Sequence, residues 1–587
     1  MGIMSTPNKK RGNYTEALLV WGVLGVLGLG VGVFYAGYLG GAFLTGQAVS
    51  EYHPVGALVG VVKGASPWSA ASTVISCGSA AVLLALGVLV GRRWLFRSPQ
   101  QKIDRAGRYM GSGADIAFLK KKQALADARR LGVDSPGLPI AKTLTGEMLF
   151  SSWENVCVDI WGPRTGKTTS RAIPGIIAAP GAVLVTSNKR DIVDATRRVR
   201  QGVGQVWVFD PQQVAGEESS WWWNPLSYVS DDVKARKLAQ HFAAGSRDEK
   251  AKTDAFFDEA AQDLLAALLL AAAVNQDQIT QVYQWLTRET EDEPASILHQ
   301  AGFVQMAQAV EGVISSPDRQ RGGVYGVARQ MANCLTSQAV LDWITPAGDG
   351  VDRRKQLVPE DFVRGKNTLY SLSKEGAGTA GPLVTALTVA TVEAAEEMAI
   401  DAGGRLSTPM VVMLDEAANV CRWAELPNLY SHYGSRGIVV CTILQSWSQG
   451  VAVWGQDGMR KLWSAANIKV YGGGVSEAQF LSELSQLIGD YTYTNVSRSY
   501  SRQHGASSSV DVDRKDRIMD VSDLSALPRG RAVVFASGAP AVLVKTIPWY
   551  AGEHAAAVNA SLEAYDPARR ATILRRGAVQ GAGYERT

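Results

Sequence analysis

Two short stretches, far apart in the chain, hold the residues best suited to chemistry. The first lies inside "VCVDIWGPRTGKTTSRAIPG", Val156 to Gly175. Gly162, Pro163, Arg164, Thr165, Gly166, Lys167, Thr168 and Thr169 make a Gly-rich turn followed by Lys and Thr. Such a turn suits a polyphosphate. Backbone N–H groups of the turn and of the helix after it wrap the phosphate oxygens, Lys167 places a point charge on the β- and γ-phosphates, and the Thr168 hydroxyl coordinates Mg2+. The spacing is irregular: only Pro163, Arg164 and Thr165 separate Gly162 from Gly166, one fewer than a usual phosphate loop has, and Trp161 stands where its first Gly belongs. On this motif alone, an ordinary Gly turn before a helix is the competing reading. The second stretch is "PMVVMLDE", Pro409 to Glu416, whose apolar run ends in two acids. This is the Walker B arrangement, in which Asp415 holds Mg2+ through water and Glu416 polarises the attacking water. Together the stretches point to ATP and Mg2+ as ligands and to ATP hydrolysis as the reaction.

Rigid elements must position these residues. Val156, Val158 and Ile160 alternate with Cys157 and Asp159, a run that suits a strand entering the loop. A helix can start at Thr168, with Pro174 as its end or a kink. Met410 to Leu414 is continuously apolar, as a strand buried on both faces of a parallel sheet requires. Another apolar run, "GIVVCTIL", Gly437 to Leu444, ends at Gln445. In RecA-type ring ATPases a polar residue at the end of the strand beside Walker B senses the γ-phosphate, and Gln445 has that position; a polar cap on a strand end is the alternative. Arg436, in "GSRG" just before the run, suits an arginine finger that reaches a neighbouring subunit's nucleotide. A solvated turn arginine is its alternative.

The rest of the chain sets the surroundings. Its 587 residues allow two or three domains, and a net charge of +4 excludes a broadly basic nucleic-acid coat. Five scattered cysteines, without a CxxC pair or a nearby His cluster, read as reduced thiols rather than a metal site. Ala17 to Leu44 carries no charge, and neither does the run from about Ala70 to Gly91. Each is near or above the roughly 20 apolar residues that span a bilayer. A signal peptide is the rival for the first run, but its apolar region should be only about 7–15 residues. Lys9, Lys10 and Arg11 precede the first run, while Arg92, Arg93 and Arg97 follow the second. By the positive-inside rule both ends lie in the cytoplasm, with a small loop outside. Asn495 to Lys515, rich in Ser, Arg and Tyr without an apolar period, reads as a flexible loop.

The chain resembles the coupling ATPases of type IV secretion and bacterial conjugation, the TraG/TraD type. The likeness is carried by Gly162 to Pro211, by "WNPL" (Trp223 to Leu226), by "LDEAANVCRWAELPNLYSHYGSRGIVVCTILQSWSQ" (Leu414 to Gln449) and by "NIKVYGGGVSEAQFLSELSQLIGDYT" (Asn467 to Thr492). It departs where the family's usual acid after the loop helix is replaced by Ser187 or Asn188, beside Lys189. The resemblance implies an α/β fold: a RecA-like P-loop NTPase core with an inserted all-α domain, preceded by two transmembrane helices. The expected organisation is an anchor over 1–99, a connector over 100–149, a nucleotide-binding domain from 150–229 and 344–552, an all-α domain over 230–343 and a tail over 553–587. The buried-helix run Asp258 to Val274 marks the all-α part. The resemblance further implies a homohexamer in the bacterial inner membrane, its main body cytoplasmic. Its partners would be DNA, met largely without sequence preference, a relaxase with its relaxosome proteins, and the secretion channel. Two other functions stay open at this level: an FtsK-type DNA translocase, and a nucleotide-switched docking platform for secreted proteins. Glu416 speaks against the platform, since a binding switch needs no general base.

Overall fold

Runs of two kinds, long and apolar or short and apolar, fold here into two units, residues 1–101 and 102–587. In this computed structural model the chain is described over residues 14–95, 101–246, 255–348, 352–374, 380–501 and 505–569. Lys9, Lys10, Arg11 and Arg97, used above for topology, lie outside the described residues, as do Arg570, Arg575 and Arg576.

The first unit is helical, with helices Tyr14–Thr45, Pro54–Val62 and Ala70–Leu95. Its segments Leu27–Thr45 and Ala70–Val88 are long and apolar enough to cross a membrane. The two long helices approach closely through small residues. A Cβ added at Gly37 would come within 1.9 Å of Ser76 Oγ, and one at Gly41 within 1.9 Å of Ser72 Oγ. Small residues four apart let helix backbones meet where both flanks are apolar. Leu24, Leu27, Val74, Leu84 and Val88 point outward.

The second unit is built on strands. In chain order they are β1 (Leu138–Thr143), β2 (Met148–Ser151), β3 (Cys157–Ile160), β4 (Val183–Ser187), β5 (Val206–Phe209), β6 (Trp221–Trp222), β7 (Lys355–Gln356), β8 (Thr368–Leu372), β9 (Met410–Leu414), β10 (Ile438–Leu444), β11 (Ile468–Tyr471), β12 (Asp490–Ser501), β13 (Gly505–Arg517), β14 (Arg531–Ala536) and β15 (Val542–Lys545). Eleven of them form one sheet in the order β2-β1-β15-β14-β11-β3-β10-β9-β4-β8-β5. From β11 to β5 every pairing is parallel; from β2 to β11 every pairing is antiparallel. The parallel strands β3, β4, β8, β9 and β10 are buried at every residue, which explains their continuous apolar runs. The strand that leads into the phosphate loop, β3, and the strand that ends in Asp-Glu, β9, flank β10, which ends at Gln445. Between β6 and β7, helices Asp232–Ser246, Ala255–Val274, Thr280–Thr287, Glu293–Gln300, Val304–Ile314, Asp318–Met331 and Gln338–Ile344 make an all-α insertion, and β6 pairs with β7 at its base. Leu264 to Ala272 is buried all round, as its sequence demands. This is a RecA-like P-loop NTPase fold with an all-α insertion.

Three segments differ from the sequence reading. The end of the 100–149 connector folds into the main sheet: β1 pairs with β15 and β2 extends that edge. Such a partner cannot be read locally, because β15 lies some 400 residues away. Within the tail 553–587, helix Ala555–Tyr565 packs on helix Asp191–Gln201; Ser561 Oγ donates to Asp194 O at 2.6 Å and Arg190 reaches Tyr565 O at 3.1 Å. Asn495 to Lys515, read as a flexible loop, lies instead, over its described residues 495–501 and 505–515, in the antiparallel ladder of β12 and β13.

Candidate nucleotide site

The phosphate loop begins where β3 ends. Trp161 N donates to Leu444 O at 2.9 Å, and Gly162 N to Gly473 O at 2.9 Å. Thr165 Oγ1 donates back to Gly162 O at 2.6 Å, Thr169 Oγ1 to Gly166 O at 3.1 Å and Ser170 N to Gly166 O at 2.9 Å. Gly166 has φ +100°, open only to glycine, and Arg164 has φ +60°, uncommon for a side-chain-bearing residue. Thr168–Ala172 is a wide π turn that leads into helix Ile173–Ala178. Pro174 sits at the junction of the π turn and this helix, a change of helical pitch at the place the sequence offered as an end or a kink.

The irregular glycine spacing has a tertiary explanation. The loop after β11, Gly472 to Gly474, lies against the phosphate loop. A Cβ at Gly162 would fall 2.0 Å from Gly474 O, one at Gly474 2.5 Å from Thr165 Cγ2, and one at Gly472 2.1 Å from the Trp161 ring. Gly473 and Gly474 also have φ of +79° and +78°. The glycine need has moved: the first position of the usual motif holds a buried indole, and the neighbouring loop supplies the missing space. The triple glycine is evident in the sequence, but nothing in its own stretch tells which loop it faces.

Beneath the loop, Asp159 is not the outward polar residue that alternation suggests. It is fully buried, and Arg171 Nε donates to its Oδ2 at 2.6 Å while Arg171 Nη1 donates to Pro139 O at 2.6 Å. Burial pushes the Asp159 carboxyl up, against the pull of Arg171. The pair ties the first turn after the loop to β3 and β1. A lone acid in an apolar run was the only sequence signal for it.

The acidic side is equally specific. Asp415 and Glu416 follow β9 directly, and both are buried. The Lys167 ammonium lies 3.3 Å from Asp415 Oδ1 and pairs with Glu416 Oε1. Burial pushes Asp415 up to about 6, against the pull of Lys167. Glu416 takes φ +54°, a strained left-handed conformation for a non-glycine residue that turns its carboxylate toward the loop lysine. Gln445 Nε2 donates to Glu416 Oε1 at 2.8 Å and to Oε2 at 2.7 Å. The carboxyl ends of the central strands β3, β10 and β9 thus gather a Gly-rich turn, an ammonium, two carboxylates and an amide. These are the donors and acceptors that a nucleoside triphosphate and Mg2+ require. Thr168 and Asp415 are the residues that could supply oxygen ligands to Mg2+.

Arg436 is not brought to this cluster. It caps helix Leu426–Ser435 just before β10, at the opposite end of that strand from Gln445. Seven residues at about 3.3 Å each put the two ends roughly 20 Å apart. Its guanidinium pairs with Glu396, and its carbonyl accepts from Leu406 N at 2.9 Å. The family's acid after the loop helix has no counterpart at β4: Ser187 Oγ accepts from Lys189 N at 3.2 Å in the turn there.

Residues 409–529 match the family model described as the TraM recognition site of TraD and TraG. No curated protein sequence matches the chain. Among solved structures, the chain is similar to the bacterial conjugative coupling protein TrwB lacking its N-terminal segment, with 16% identity, 69% of this chain and 88% of that one covered, and a TM-score of 0.49. It is also similar to TrwB in complex with ADP and Mg2+ (17% identity, 68% and 85% covered, TM-score 0.47) and to VirB4 of Thermoanaerobacter pseudethanolicus (12%, 70% and 96%, 0.44). The matched region starts one residue before β9 and carries the acidic pair, Gln445 and the glycine loop that faces the phosphate loop, so that the likeness to TraD and TraG falls on residues of the site.

Proposed function

We propose that this protein is a membrane-anchored ATPase of conjugative DNA transfer: it recruits a relaxase–DNA complex and drives the DNA toward a type IV secretion channel. The observation that carries the reading is the cluster of Lys167, Asp415, Glu416 and Gln445 at the carboxyl ends of β3, β9 and β10, because a general base held beside the phosphate lysine serves turnover and not binding alone. In this reading the loop N–H groups and Lys167 bind the phosphates, and Glu416 takes the proton of the attacking water. Gln445 orients Glu416 and reports the γ-phosphate. Thr168 and Asp415 would hold Mg2+, which would supply charge neutralisation to the phosphates. The TraM recognition match supports a relaxosome protein as a partner for residues 409–529. Contact with DNA would be directed mainly at phosphates and weaken with salt. The test is the rate of ATP hydrolysis by the full chain with and without single- and double-stranded DNA. Stimulation by DNA is expected; hydrolysis indifferent to both would remove DNA transport from the reading.

The anchor reading rests on the two apolar helices, their glycine–serine crossing and their outward aliphatic side chains. Both ends would face the cytoplasm, in the inner membrane of a bacterial cell. Impermeant thiol labelling of intact cells should reach Cys placed at Ser50 or Ser66 and not Cys placed at Lys120. Labelling at position 120 would reverse this topology.

A further inference from the structure

The site described above ends at Gln445, but the hydrogen bonds continue beyond it. Helix Trp447–Ala465 starts two residues later, with Ser446 as its cap: Ser446 Oγ accepts from Gln449 N at 3.2 Å. Gln449 turns back, its Oε1 accepting from Gln445 N at 2.9 Å. The first N–H groups of a helix have no partner within it. Here two of them are taken by one side chain from another loop. Glu477 Oε2 accepts from Trp447 N at 2.9 Å and Oε1 from Ser448 N at 3.0 Å. A carboxylate on a helix N-terminus is favoured by the helix dipole as well as by the bonds. Glu477 belongs to the segment after β11 whose Gly473 accepts from Gly162 N and whose Gly474 touches the phosphate loop. One loop therefore grips the site twice, by its glycines at the phosphate loop and by Glu477 at the helix that fixes Gln445.

We propose that Glu477 is a positioning residue for ATP hydrolysis: its two-pronged hold on the start of helix Trp447–Ala465 sets Gln445 against Glu416 and ties that contact to the glycine loop clasping the phosphate loop. This inference rests on the hydrolytic reading given above. Glu477 touches neither phosphate nor base in it, so its substitution acts on turnover and not on binding. Replacing it with Ala frees two helix N–H groups and lets the strand end carrying Gln445 shift. A displacement of about 1 Å in a reacting site lowers rates by up to roughly a hundredfold.

The experiment measures steady-state ATP hydrolysis and ADP affinity for the full chain and for Glu477→Ala, Glu477→Gln, Gln445→Ala and the Glu477→Ala/Gln445→Ala double variant. Glu477→Ala should lower kcat by about ten- to a hundredfold with ADP affinity within about twofold of the parent. Glu477→Gln keeps one acceptor oxygen and should recover part of the loss. If Glu477 acts through Gln445, the double variant is no slower than Gln445→Ala alone, because sites in one network are not additive. Multiplying losses, or an equal loss of ADP affinity in Glu477→Ala, would overturn the proposal, since both mark general destabilisation. A parent that hydrolyses ATP beside a Glu477→Ala variant of equal rate removes Glu477 alone. A parent that hydrolyses no ATP under any condition removes the hydrolytic reading and this inference with it.

Discussion

Lys167→Ala protein is expected to lose nucleotide affinity by roughly 10- to 150-fold, the worth of about 1.5–3 kcal/mol for a charge-assisted contact. Isothermal titration with ADP and Mg2+ reads this directly. The structure adds a second consequence that the motif does not contain. Lys167 is the cation between two buried acids, Asp415 and Glu416. Without it, neighbouring carboxylates in a dry site cannot both stay ionised, and one takes up a proton or the site loosens. A lower melting temperature should therefore accompany the lost affinity at neutral pH. Near-parental affinity would mean that the phosphates do not lie where Lys167 places them. The same variant also tests assembly. If the protein works as a hexameric ring in which Arg436 serves a neighbour's nucleotide, mixing Lys167→Ala with Arg436→Ala restores activity, since some interfaces then hold both intact halves. For that role the Glu396 partner of Arg436 must be released on assembly. Mixed rings without recovery would leave Arg436 as the residue that fastens one helix end to another.

Glu416→Gln is expected to separate binding from turnover. Loss of a positioned general base costs about 10²- to 10⁴-fold in rate. Binding should be kept or slightly strengthened, because Lys167 loses its closest acid partner and is freer to meet the phosphates. Gln445 loses one of its two acceptors, since an amide offers a single oxygen. Single-turnover hydrolysis, together with nucleotide titration, distinguishes the two effects. A Glu416→Gln protein that hydrolyses ATP at the parental rate would take the base role from Glu416.

The two predictions draw on different sources, and the difference marks what each level of description contributes. Lys167, Asp415, Glu416 and Gln445 were legible in the sequence, because each follows closely on a strand-like run and strand ends are where a parallel sheet presents side chains to a ligand. The membrane-length helices were legible for the same kind of reason: length and absence of charge are local properties. The order of the strands was not. That β10 runs between β3 and β9, so that an amide reaches a carboxylate two strands from the phosphate loop, depends on the pairing of Cys441 with Cys157, residues hundreds of positions apart.

The irregular phosphate loop shows the same division most clearly. Its sequence announced a missing glycine at Trp161 and gave no means to judge the consequence. Only the fold brings Gly472 to Gly474 against it and supplies the space there. Asp159 with Arg171 and Glu477 with the helix at Trp447 are likewise contacts between segments, invisible to any pattern confined to one of them. Sequence by itself determined which residues can do chemistry, since their types and local spacing fix what they can bind. Tertiary structure alone decided which of them meet, because backbone close approach and hydrogen bonding across a sheet depend on pairings that no local interval encodes.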